Sequence, residues 1–161
     1  MPSLGSISHG TLRAVDLLDS FADALEQCAK EAMPHPGAIN PDHMRLVAKA
    51  RDWLEGEWEE GEEDNENDLE TAAELMSQLQ DALAEYAPSY CYFGAHEGDG
   101  SDFGFWVSME SLEDFDGLRV DDLSKVPPNY QGEVLHVNDH SNMTLYYTLP
   151  SGKLCEAWGI V

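Results

Sequence analysis

The sequence predicts an α+β protein in which an acidic half of three helices, residues 1–88, is packed with an antiparallel sheet of about five strands, residues 89–161. Two observations carry this prediction. Apolar residues recur at three- and four-residue steps as far as Tyr86 and at alternate positions from Ser89 onward. Pro34, Pro36, Pro88 and the pair Pro127-Pro128 fall between the periodic runs, where neither helix nor central strand can use them. The two halves are also compatible with one compact unit, and there is no internal repeat.

The first helix is marked by Leu12, Val15, Leu18, Ala22, Leu25, Ala29 and Ala32, opposite Asp16, Asp19, Asp23 and Glu26. The second opens at Asn40-Pro41, a capping side chain followed by proline at the first helical position, and should run to about Glu59 with Val47, Ala50, Leu54 and Trp58 on its apolar side. Arg45, Lys49 and Arg51 on this helix are expected to pair with acids of neighbouring helices. Glu59 to Asn67 contains no apolar residue and reads as a solvated loop. The third helix, about Asp68 to Tyr86, has Leu69, Ala72, Met76, Leu79, Leu83 and Tyr86 as one seam, with Glu66, Glu70, Glu74, Asp81 and Glu85 centred roughly 150° away.

Beyond Pro88, Tyr90 to Phe93 and Phe103 to Val107 read as strands joined by a turn at Gly98 to Asp102. A short helix is expected from Met109 to Phe115. Glu133 to Val137, Met143 to Leu149 and Leu154 to Ile160, separated by polar turns, complete an antiparallel meander.

Charge is the feature that bears most on function. The 161 residues carry 32 acids against 8 Lys and Arg, and residues 52–118 hold 21 acids with no Lys or Arg at all. With 42% hydrophobic and 9% aromatic residues the chain can nevertheless bury a core, so the acidity is laid onto a foldable sequence. A formal charge of -24 repels nucleic acid and anionic membranes and attracts cationic partners. No apolar run reaches the roughly 20 residues that span a bilayer, and the N-terminus lacks the pattern of a signal peptide, so a cytoplasmic location is expected. Cys28, Cys91 and Cys155 contain no C-x-x-C pair and are expected to be reduced.

The words Tyr92-Phe93-Gly94-Ala95-His96, Gly98-Asp99-Gly100-Ser101-Asp102-Phe103-Gly104-Phe105-Trp106, Val134-Leu135-His136-Val137-Asn138-Asp139-His140 and Thr144-Leu145-Tyr146 make the β half similar to short acidic proteins of phages, prophages and other mobile elements. That resemblance covers less than half the chain and brings no catalytic residues with it. It implies a setting in which small acidic proteins inhibit host defence, including restriction and CRISPR nucleases.

The expected function is therefore non-enzymatic, without cofactor or metal: an acidic mimic of nucleic acid that fills the binding groove of a basic nucleic-acid-binding protein or nuclease complex of the host. The expected contact residues are Glu55, Glu57, Trp58, Glu59, Glu60, Glu62, Glu63, Asp64, Glu66, Glu70, Glu74, Asp81 and Glu85. Glu66, Glu70 and Glu74 lie about 6 Å apart along a helix axis, the same order as phosphate spacing on a nucleic-acid strand.

Three alternatives compete. An adaptor of phage biology would bind through aromatic residues of the sheet, Phe103 and Trp106, with the acids serving solubility. A metal enzyme would use His96, His136 and His140, with Cys91 nearby. Asp64 to Asp68 alternates oxygen ligands as a calcium loop does, but Leu69 and Leu75 occupy the positions that need glycine and glutamate. The glycines from Gly94 to Gly104 lack the lysine and spacing of a phosphate-binding loop.

Overall fold

The computed structural model describes residues 2–32, 40–56 and 66–160, the side chains of residues 66–68 excepted. Among these residues there are four helices and two sheets of three and four strands, so the α+β class holds while the single sheet of about five strands does not. The chain separates into two compact units, residues 1–106 and 107–161, whereas composition suggested a division near Pro88. The difference is the aromatic hairpin, whose inward rings belong to the core beneath the helices.

In the first unit, β1 (Gly5–Ser8) leads into α1 (Ala14–Glu31). Thr11 fixes the start of this helix: its hydroxyl accepts from the Arg13 N–H and donates to the Asp16 carboxylate at 2.7 Å. Leu17, Leu18, Phe21, Ala22, Leu25, Cys28 and Ala29 are buried. The buried stripe thus includes Leu17 and Phe21 but leaves out Leu12, which precedes the helix and is exposed.

α2 (Pro41–Leu54) begins as its sequence predicts, with the Asn40 side chain accepting from the Asp42 N–H at 3.0 Å. It ends at Leu54, short of the expected Glu59, because the Glu55 N–H closes the last turn on Arg51 and the Gly56 N–H bonds Trp53. α3 (Glu66–Ala84) lies two residues earlier at both ends than expected.

β2 (Cys91–His96) and β3 (Asp99–Val107) form a hairpin around Glu97 and Gly98, so Asp99 to Asp102 belongs to a strand and not to the turn. β1 pairs antiparallel with β3, giving the order β1-β3-β2. A β-carbon on Gly104 would lie 2.1 Å from the Gly5 carbonyl oxygen, which explains the missing side chain where β1 crosses. Phe93, Phe103 and Phe105 point toward the helices, and Phe21 meets the rings of Phe93 and Phe103 edge-on at 5.3 and 5.5 Å.

The second unit contains α4 (Met109–Glu113), capped by the Ser108 hydroxyl, and a sheet ordered β4 (Leu118–Val120), β5 (Glu133–Val137), β6 (Met143–Thr148), β7 (Leu154–Ile160). β4 pairs parallel with β5 and was not expected; the other three are the predicted meander. Leu135, Leu145 and Trp158 stand in register across β5, β6 and β7 and are buried together.

The two interior-leaning thiols of the first unit are chemically quiet. Burial, and after it the charge of Glu31, pushes the Cys28 thiol up to about 11, and burial pushes Cys91 up to about 12. At pH 8 only about one Cys28 in a thousand is thiolate, so its alkylation should run about 100-fold slower than in urea-unfolded chain, as peptide mass mapping would measure. Because the folded state holds these protons more tightly, their contribution to stability is present below about pH 9 and falls as pH rises toward 11 and 12.

Candidate partner-binding surface

α3 places the acids by placing its apolar side. The buried residues are Ala72, Leu75, Leu79, Ala82 and Leu83, so the stripe includes Leu75 and Ala82 in place of Leu69, which is exposed, and Met76, which is half-buried. This turns the seam by roughly 40° at 100° per residue, because α3 packs on α1, α2 and β2 together and not on a single neighbour. The opposite face still carries exposed Glu70, Glu74 and Asp81, exposed Glu85 follows just past the helix end, and residues 66–84 contain no Lys or Arg.

The column is not uniform. Glu74 accepts a hydrogen bond from the Gln78 side-chain amide at 2.9 Å. Glu85 lies 3.4 Å from Nε2 of buried His43, whose Nδ1 is 2.8 Å from the Tyr86 hydroxyl. Removal from water, and after it nearby negative charge, raises the pKa of the Tyr86 hydroxyl, which keeps it a neutral hydrogen-bonding group. Asp81 and Glu85 look across a groove at Arg45 and Lys49 of α2, whereas Glu70 and Glu74 lie outside it. The outward charge is therefore least compensated in the N-terminal half of α3.

Elsewhere the helices satisfy their cations internally. Arg51 donates to Asp23 and Glu26 of α1 at 2.9 and 2.6 Å, as expected of a neighbouring helix. Arg45 instead pairs with Asp42 one turn back on its own helix. Lys30 and then Arg51 hold the Glu26 carboxyl below the usual range. These pairs involve exposed or half-exposed groups and add little stability each.

Of the remaining expected contact residues, Glu55 is exposed at the end of α2. Glu57, Trp58, Glu59, Glu60, Glu62, Glu63 and Asp64 lie outside the described residues, and Glu66 begins α3 with its side chain outside them. The calcium-like run Asp64 to Asp68 is outside them in the same sense. Residues 1–106 contain 23 acids against five Lys and Arg, residues 107–161 nine against three. Folding concentrates these like charges, so raising NaCl from about 0.02 to about 0.5 M should raise the melting temperature by several degrees. A fall, followed by circular dichroism, would show that the internal pairs outweigh the repulsion.

The other constellations are separate. His96 meets Trp106 edge-on at 4.7 Å and its Nδ1 accepts from the Gly98 N–H. His136 Nε2 lies 3.3 Å from the Asp121 carbonyl, and exposed His140 is 3.8 Å from Asp139. Among the described residues no three His, Cys, Asp or Glu side chains gather as metal ligands would. Phe103 faces the core, while half-buried Trp106 donates to the Gly94 carbonyl across the hairpin at 3.0 Å. No described helix is long and apolar enough to cross a membrane.

Comparison with protein-family models, curated proteins and solved structures finds no match to this chain.

Proposed function

We propose that this protein is a non-enzymatic acidic inhibitor that occupies the nucleic-acid-binding groove of a basic protein. The supporting observation is the outer face of α3, where Glu70, Glu74 and Asp81 are exposed on a helix without a single Lys or Arg and exposed Glu85 follows directly after its end. A helix face kept only for solubility usually mixes signs, since like charges four residues apart cost a few tenths of a kcal/mol per pair. Here that repulsion is retained, and a cationic surface would relieve it. Lys and Arg that normally grip phosphates would pair with these carboxylates, so inhibition is by competition.

The resemblance of the β half to proteins of mobile elements points to a host nuclease or defence complex as the basic partner. Electrostatic steering then gives association that is fast at low salt and slows steeply as salt rises. Stopped-flow association at about 0.05 and about 0.5 M NaCl with a basic nuclease complex tests this; equal rates would overturn the mimic reading.

A further inference from the structure

The carboxylates of α3 do not stand alone. Two of the four large apolar side chains left exposed among the described residues, Leu12 at 68% and Leu69 at 47%, line one groove of about 350 Å³ with Val15, Trp53 and Met76. The groove runs between the entry to α1, the end of α2 and the first half of α3. A nucleic-acid mimic made of charge alone has no use for it, and exposing leucine to water gains nothing.

Its surroundings restrict what can cover it. Exposed Asp52 and Glu55 stand on either side of Trp53 in sequence, exposed Glu70 follows Leu69 on α3, and Asp16 follows Val15, whereas Glu74 projects from the far side of α3. Among the described residues Arg13 is the charged side chain on the groove's lining. A second copy would bring another charge of -24 to the same place, and an anionic lipid surface would be repelled. The complementary occupant is apolar on one side and positively charged on its flanks.

We infer that this groove docks a cationic amphipathic helix of the partner protein, its apolar face on Leu12, Leu69 and Met76 and its Lys or Arg on the acids at the groove's margins, Asp52, Glu55 and Glu70. The inference rests on the reading that the carboxylates bind a basic partner, and adds that recognition has an apolar anchor which salt does not screen. Specificity follows, because polycations without an apolar face gain only the charge.

Three probes separate the possibilities by fluorescence anisotropy: a helical Lys-Leu peptide with leucines at three- and four-residue steps, the same peptide with serine for leucine, and poly-lysine. The protein should bind the leucine peptide at least ten-fold more tightly than the serine peptide, and keep that preference at about 0.5 M NaCl. Leu12→Ser with Leu69→Ser should erase the preference while leaving poly-lysine affinity within about two-fold, and Leu12→Ile with Leu69→Ile should retain it. Both positions are exposed, so the melting temperature of each variant, measured alongside, should stay within a few degrees of the parent.

Binding of poly-lysine with no preference between the two peptides would overturn the anchor and leave the acidic surface standing. A preference that survives the serine substitutions would also overturn it. Failure to bind poly-lysine would overturn the carboxylate reading and the anchor with it. A dimer in sedimentation that Leu12→Ser dissociates would assign the groove to a second copy.

Discussion

Glu70→Lys, Glu74→Lys and Asp81→Lys together are expected to weaken binding to a basic nucleic-acid-binding partner by about 100-fold at 0.1 M salt. Each exposed pair lost is worth roughly 0.2–1 kcal/mol, and each reversal also places a new cation against the partner's own. The three side chains lie on the solvent face of α3 and none contributes to its buried stripe, so the fold should persist. Reversal at Glu70 and Glu74 relieves like-charge repulsion, whereas Asp81→Lys sets a cation across the groove from Arg45 and Lys49, so the net change in stability should stay within about 1 kcal/mol. Isothermal titration with a basic partner, alongside circular dichroism, separates these effects. Unchanged affinity in a folded triple variant would remove α3 from the binding surface.

Phe21→Ala is expected to destabilise the first unit by about 3–5 kcal/mol. Phe21 is fully buried and meets Phe93 and Phe103 edge-on, so it joins α1 to the sheet on which the helices rest. Its removal leaves a cavity where, among the described residues, helical and sheet layers share rings. A loss of that size is a large part of the roughly 5–15 kcal/mol by which domains are ordinarily stable. Urea unfolding followed by circular dichroism measures it. Tyr147→Ala, at an exposed position of β6, is the comparison and should change stability by less than about 1 kcal/mol.

The parts of this fold that could be read from sequence are those set by local chemistry. Asn40-Pro41 specifies the start of α2 whatever surrounds it, and the polar turns around Asn138 and Ser151 delimit β5, β6 and β7. β1 could not be read in the same way: Gly-Ser-Ile-Ser has one large apolar residue, and it is a strand because β3 supplies its hydrogen bonds. β4 is three residues long and likewise exists through its pairing with β5. The unit boundary at Trp106 depends on which way Phe93 and Phe105 face, a tertiary matter that the strong compositional change near Pro88 conceals.

The same distinction applies to the candidate surface. That Glu70, Glu74, Asp81 and Glu85 face outward follows from the periodicity of the apolar residues between them. That Glu85 meets His43, that Glu74 accepts from Gln78, and that Arg45 and Lys49 stand across a groove from Asp81 depend on how α2 lies against α3. Leu69 is the instructive case. Its spacing fits the seam, yet the stripe turns toward Leu75 and Ala82 to meet three neighbours, and Leu69 is left exposed beside Leu12.

The most direct test of the mimicry is capture from a host lysate by the immobilised protein, eluted with a salt gradient in the presence or absence of excess duplex DNA or single-stranded RNA. The expected result is retention of a basic nucleic-acid-binding complex that moderate salt releases, that nucleic acid displaces, and that a Glu70→Gln, Glu74→Gln, Asp81→Gln variant no longer holds. A retained partner indifferent to salt, to nucleic acid and to those three substitutions would contradict it.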